Sequence, residues 1–279
     1  MPNTSKLALG TVQFGLDYGI SNYKGKPSMY EIEGILSLAY ENNIGLLDTA
    51  NAYGGAEQVI GQLNSNRFEI ITKFLPELQN GLFENQFLDS LNKLKTENVY
   101  GLLAHRPMDV VNHPEIWDKM NAQKSIKKVK KIGFSFDKPE EYYAVLEKSF
   151  FPEIVQVPFN YFDDRFEGII QELKSNGCEI HVRSAFLQGL FFTDITQLPF
   201  FFDEVKELIA ELQKVHGSYL AAALLHFVLD NKFVDKVVIG IQNRHQLKNI
   251  LASLVNAPNL RILDKKINHK ILQPSLWPK

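Results

Sequence analysis

Four side chains in the first 105 residues have the types and spacing for proton-transfer chemistry: Asp48, Tyr53, Lys73 and His105. A free tyrosine, with a pKa of about 10, is a poor acid at neutral pH. A lysine ammonium beside it is expected to stabilise the phenolate and lower that pKa, and a carboxylate paired with the lysine would hold the cation in place. A histidine beside the tyrosine can orient a carbonyl oxygen. Together they would form a tunable general acid for carbonyl reduction.

These groups need a scaffold that gathers strand ends. Eight short apolar or β-branched runs recur along the chain: Leu7–Gly10, Gly45–Thr49, Glu69–Lys73, Val99–His105, Lys131–Ser135, Ile154–Val157, Glu179–Ser184 and Lys236–Gly240. Helical periodicity fills most of the intervals. Met29–Asn43 carries Ile32, Ile35, Leu36, Ala39 and Tyr40 on one face. Phe83–Leu94, Lys138–Lys148, Asp163–Asn176 and His245–Val255 read alike, and Phe200–His216 and Ser218–Asn231 precede the last strand. Eight β-α units in one chain of this length predict a closed (β/α)8 TIM barrel, in the α/β class. An open dinucleotide-binding sheet would call for G-x-G-x-x-G after its first strand, which Gly10–Gly15 does not supply. In such a barrel the chemistry belongs at the C-terminal strand ends. Asp48, Lys73, His105, Ser135, Arg183 and Ser184 all stand there.

Bulk properties narrow the class. The 279 residues hold 30 Lys+Arg and 32 Asp+Glu, a net charge of −2, which argues against nucleic-acid or membrane-surface partners. No linker divides the chain, so residues 1–279 read as a single domain, with the barrel over 6–255 and a C-terminal segment over 256–279. One cysteine, Cys178, excludes an internal disulfide and suits a reducing compartment. No signal peptide or membrane span is legible, and a cytoplasmic location is expected. No metal-ligand spacing stands out. His181 and His226 lie in apolar runs and read as core residues, and the lysines at 124, 127, 128, 130 and 131 as a solvated helix end. Nothing in the sequence sets the oligomeric state.

From Lys6 to about Leu254 the chain resembles the aldo/keto reductases. Their D-T-A-x-x-Y-G motif stands here as Asp48–Gly54, their lysine as Lys73, and their H-x-P as His105-Arg106-Pro107. The resemblance implies that Tyr53 donates the proton, that Lys73 and Asp48 tune it, that His105 positions a small carbonyl substrate, and that a nicotinamide cofactor delivers hydride. NADPH is the implied cofactor, with NADH the alternative. Gly10, Thr11 and Asp48 fall near the cofactor ribose, and Ser135 and Gln156 at its carboxamide. Arg183, Ser184, Leu187, Gln188 and Gly189 match the segment that faces nicotinamide and holds pyrophosphate. Ile239, Gly240, Gln242, Gln246 and Asn249 match the last cofactor segment.

The chain also departs from the pattern. Phe136 replaces the asparagine that follows the carboxamide-binding serine. Gly240 stands where the family has lysine, Gln246 where it has the arginine for a 2′-phosphate, and Asn249 and Ile250 where it has Glu and Asn. Residues 1–5 are too few for the N-terminal hairpin that plugs many family barrels. A rival reading is a cofactor-binding regulatory subunit with little or no turnover. Loops 16–28, 106–113 and 191–199 should set specificity. Within the first, Leu16–Asn22 resembles the first loop of bacterial family members associated with sugar metabolism, and the resemblance implies a sugar-like or small aldehyde substrate. The resemblance implies that the apolar segment 259–279, with Ile271, Leu272, Leu276 and Trp277, folds back to the barrel mouth; covering the barrel bottom or packing on a second subunit are the alternatives.

Overall fold

A computed structural model describes residues 4–63, 66–261, 263–264 and 266–278. Eight parallel strands close into one barrel in sequence order: β1 (Leu7–Gly10), β2 (Leu46–Asp48), β3 (Glu69–Phe74), β4 (Val99–Ala104), β5 (Val129–Ser135), β6 (Ile154–Pro158), β7 (Glu179–Arg183) and β8 (Lys236–Gly240). Helices surround it, so the fold is a single-domain (β/α)8 barrel. The strands match the sequence reading to within two residues at each end. The helix expected over Asp163–Asn176 begins only at Glu167, because Asp163 is held in a bridge with Asn160 and grips Arg165 through two 2.8 Å bonds.

Side-chain alternation along the strands builds both core and site. Ala8, Leu46, Ile71, Leu103, Ile154 and Val238 form one apolar cluster, with a member from each of six strands. The neighbouring positions, such as Leu9, Leu47, Ile70, Leu102, Val155 and Ile239, join the larger cluster that includes the surrounding helices. One pleat period beyond the six-residue cluster come Gly10, Asp48, Lys73, His105, Gln156 and Gly240. The polar site is therefore the next layer of the same inner face. Register keeps that layer level: Gly10 pairs with both Asp48 and Gly240, and Ser135 pairs with Gln156.

At the other end of the barrel, Glu179 accepts hydrogen bonds from Tyr100, Lys131 and His181 at 2.5, 2.5 and 2.7 Å. His181 is buried. His226 is not: its side chain is one-third exposed and pairs with Asp230 at 3.3 Å. The expectation of a second core histidine is thus corrected, since residue 226 lies on the helix face nearer solvent. Lys124, Lys130 and Lys131 pair with Glu153, Glu69 and Glu179. Cys178 is buried and free, and burial pushes its thiol up to about 12. No helix among the described residues is long and apolar enough to cross a membrane.

Candidate active site

The centre of the site is a buried ion pair. Lys73 Nζ lies 2.7 Å from both Asp48 oxygens and 3.0 Å from the Thr49 carbonyl. Both side chains are almost fully buried, and Gln156 Nε2 donates a further 2.7 Å bond to Asp48 Oδ1. Burial pushes the lysine pKa down while Asp48 works against it. Such an arrangement is tolerable only because each charge is matched and hydrogen-bonded.

Tyr53 sits in the loop after β2. The helical turn Val12–Gly15 packs against it so closely that a Cβ on Gly15 would lie 1.8 Å from the Tyr53 carbonyl, so only glycine allows this contact. The Lys73 ammonium lies 5.2 Å from the Tyr53 ring centroid, and the His105 ring meets Tyr53 edge-on at 5.9 Å. The tyrosine pKa is raised, not lowered: burial dominates, and the Asp48 charge adds to it. This corrects the expected electrostatics. The ammonium is directed onto Asp48 and Thr49, so it holds the carboxylate more than it favours a phenolate. Tyr53 therefore keeps its proton throughout the physiological range. Burial, with Lys73 and Arg106 nearby, lowers the His105 pKa to about 3, so its imidazole is neutral. His105 Nδ1 is buried without a partner among the described residues.

A second charge cluster stands at the rim. Asp137 bridges Arg183 and Arg106, the latter at 2.7 Å, and the Arg183 guanidinium also reaches the Phe136 carbonyl at 3.1 Å. Burial pushes the Asp137 pKa up, but the two arginines more than reverse this and hold it below the usual range. Glu141 anchors the loop by accepting from the Asp137 N–H at 2.6 Å. The Phe136 side chain stacks on Phe134 and meets Tyr142 edge-on in the outer core, leaving only backbone at the site.

These groups open into one cavity of about 420 Å³. Of the sequence-derived residues, Gly10, Thr11, Asp48, Tyr53, His105 and Gln156 line it. So do Arg183, Ser184, Gln188, Gly189, Gly240, Gln242 and Gln246. Others do not reach it. Lys73 lies behind Asp48, and Ser135 is buried beside Gln156 on the neighbouring strand. The Leu187 side chain joins a hydrophobic cluster instead, and Ile239 points into the outer core because its neighbours Val238 and Gly240 take the inner face. Asn249 lies outside the cavity on the exposed side of the helix Arg244–Leu254, 3.0 Å from His245.

Sequence reasoning missed other lining groups. Asp137, Lys138 and Arg165 follow β5 and β6, and their position just past strand ends was the available signal. Tyr18, in the loop after β1, lines the cavity, and the Ile20 N–H donates to the Gln188 carbonyl at 3.0 Å, so the β1 and β7 loops meet across the groove. The C-terminal segment returns to the mouth. Leu272, Gln273, Pro274 and Ser275 line the cavity, while Ile267, Ile271 and Trp277 are buried in the cluster formed with the β7 loop and the helix Asp203–His216.

The family model for aldo/keto reductases matches residues 6–267. The chain belongs to the aldo/keto reductase family. Carbonyl oxidoreduction is the activity class that membership supports. No curated protein matches the chain significantly. Among solved structures, a Pseudomonas aeruginosa protein described as an aldo-keto reductase is 23% identical with a TM-score of 0.68, covering 90% of each chain. An aldo-keto reductase from Bacillus halodurans, in its holo form, is 20% identical with a TM-score of 0.67, covering 92% of this chain and 88% of its own. A glycerol dehydrogenase from Gluconobacter oxydans is 18% identical with a TM-score of 0.67 and the same coverages. At these identities the likeness speaks for the aldo/keto reductase barrel alone.

Proposed function

We propose that this chain is a nicotinamide-dependent oxidoreductase that reduces an aldehyde or ketone to an alcohol, with Tyr53 as the proton donor. The observation that carries the reading is the convergence of Asp48, Lys73, Tyr53 and His105 at one end of a cavity of ligand size. A carbonyl oxygen placed between Tyr53 and His105 meets a hydroxyl that is protonated and a neutral imidazole that carries no competing charge. As negative charge grows on that oxygen, the Tyr53 proton moves to it, because an alkoxide is a stronger base than a phenolate. Lys73 and Asp48 hold the floor beneath the ring, and Gln156 fixes the carboxylate.

The residues present fit the cofactor. Gln156 lines the cavity and, having spent Nε2 on Asp48, keeps its carbonyl oxygen as an acceptor for a carboxamide, while Ser135, its pair on β5, is buried behind the lining. Arg183 would face the nicotinamide, and Ser184, Gln188 and Gly189 would hold the pyrophosphate. Gly10 and Thr11, with Gly240, Gln242 and Gln246, would take the ribose and adenosine. When bound, NADPH or NADH supplies the hydride. The C-terminal residues Leu272–Ser275 would shape the substrate side of the mouth, for a small or sugar-like carbonyl. The free buried cysteine suits the cytoplasm.

The test is a panel of aldehydes, ketones and sugars with each reduced dinucleotide, followed by loss of reduced-cofactor absorbance. Turnover of at least one carbonyl is expected. Tight dinucleotide binding with no turnover across the panel would replace this reading with that of a cofactor-binding regulatory subunit.

A further inference from the structure

We infer that the groove takes NADH in preference to NADPH, because its β8 end presents, among the described residues, an unpaired acceptor and no cation where a phosphate on the adenosine ribose would need cations, and the adjoining helix terminus already holds the Glu31 carboxylate. The inference rests on the nicotinamide reading above and concerns the other end of the same cavity.

The cavity runs from Tyr53 and His105 to Gly240, Gln242 and Gln246, beside the helix Arg244–Leu254. A dinucleotide whose nicotinamide lies at Tyr53 extends its adenosine toward that far end. The cations lining the cavity are Arg106, Lys138 and Arg165, from the loops after β4, β5 and β6, and Arg183, at the end of β7. The lining at the far end is uncharged.

The nearest arginine is held elsewhere. Arg244 Nη2 lies 3.3 Å from Glu31 Oε2, and its guanidinium stands 4.7 Å over the Tyr30 ring. Its side chain runs directly over Gly34, where a Cβ would come within 2.0 Å of Arg244 Cδ. The glycine thus leaves a slot that carries the arginine onto the helix Met29–Glu41.

Three of the backbone donors at this terminus are also taken. The Arg244 N–H donates to Glu31 Oε1 at 2.5 Å. The Gln246 N–H donates to Asn243 Oδ1 at 2.8 Å, and the Gln242 N–H to Gln246 Oε1 at 2.8 Å. A helix N-terminus with open N–H groups attracts anions. Here one of the three donors already binds a carboxylate, and an incoming phosphate would have to displace it and meet its charge.

A hydroxyl meets the opposite situation. Gln13 is more than nine-tenths buried, lines the cavity, and packs so tightly on Gly240 that a Cβ there would lie 2.4 Å from Nε2. Its Oε1 is buried without a partner among the described residues. An unsatisfied buried acceptor favours a ligand that donates. A ribose hydroxyl donates, whereas a phosphate dianion cannot.

The test is a pair of fluorescence titrations of the full chain, with NADH and with NADPH, reading the reduced nicotinamide on binding and needing no turnover. The dissociation constant for NADH is expected to be lower by about tenfold or more, as like-charge contact at a binding site imposes. Glu31→Gln should bring the ratio down by roughly threefold or more through tighter NADPH binding. Adding Gln246→Arg should carry it further the same way. NADPH binding as tightly as NADH to the wild-type chain would overturn the inference, as would an unchanged ratio in a folded Glu31→Gln variant. Binding of neither dinucleotide would overturn the nicotinamide reading itself.

Discussion

Gln156 on β6 donates its side-chain amide to Asp48 Oδ1 on β2 at 2.7 Å, a bond across the barrel between residues 108 positions apart. The carboxylate thus has two partners, Gln156 and Lys73, and the three side chains tie β2, β3 and β6 together beneath Tyr53. The site is held as a unit, and its members should not contribute independently.

Lys73→Met removes the cation and leaves Asp48 buried with only the amide. Breaking one half of a buried pair costs about 3–5 kcal/mol, so denaturant unfolding should register a loss of that order. Adding Asp48→Asn should restore much of the stability without restoring activity. If Lys73→Met alone were as stable as the wild type, the pair would not be the buried, matched unit described here.

His105 makes folding sensitive to acid. Its pKa is about 6.5 in an unfolded chain and about 3 in the fold. Between those values the unfolded chain holds a proton that the folded one lacks, so stability falls as pH drops from about 6.5 toward 3, by up to about 1.4 kcal/mol per pH unit. Above pH 6.5 the group is neutral in both states and contributes no slope. His105→Gln should therefore show a shallower decline in Tm between pH 6.5 and 4 than the wild type. Parallel declines would mean that the imidazole is protonated in the fold.

The C-terminal segment should matter twice. Trp277 packs edge-on against Phe202 at 5.1 Å and donates its indole N–H to the Ile271 carbonyl at 2.9 Å, while Leu272–Ser275 reach the cavity. Trp277→Ala should cost about 3–5 kcal/mol, the usual loss for a buried aromatic, and should raise the KM for the carbonyl as the neighbouring residues lose support. A change in KM with no loss of Tm would place the segment's anchor elsewhere.

The barrel and the gathering of Asp48, Tyr53, Lys73 and His105 at one end of it were legible because both follow from local rules. Strand runs alternate with helical periods, and site residues sit one pleat beyond an apolar layer, as Asp48 does beyond Leu46. What escaped depended on partners far apart in the chain. The Asp137 bridge joins the loops after β4 and β5 to the end of β7, and Glu31 meets Arg244 across 213 positions. Leu187 and Ile239 were placed by motif, which marks a backbone position but not the side of the strand or loop a side chain takes. The direction of the Tyr53 shift turned on where the Lys73 ammonium points, which spacing alone does not carry.

The most direct test of the account is Tyr53→Phe, assayed for carbonyl reduction with a reactive aldehyde and, separately, for dinucleotide binding by fluorescence. The substitution removes one hydroxyl and keeps the ring that packs on His105 and Lys73. Turnover should fall by a factor of about 10² or more, the scale of a lost general acid, with the dinucleotide dissociation constant little changed. Turnover close to wild type in that variant would mean that another group donates the proton, and would contradict the central role given to Tyr53.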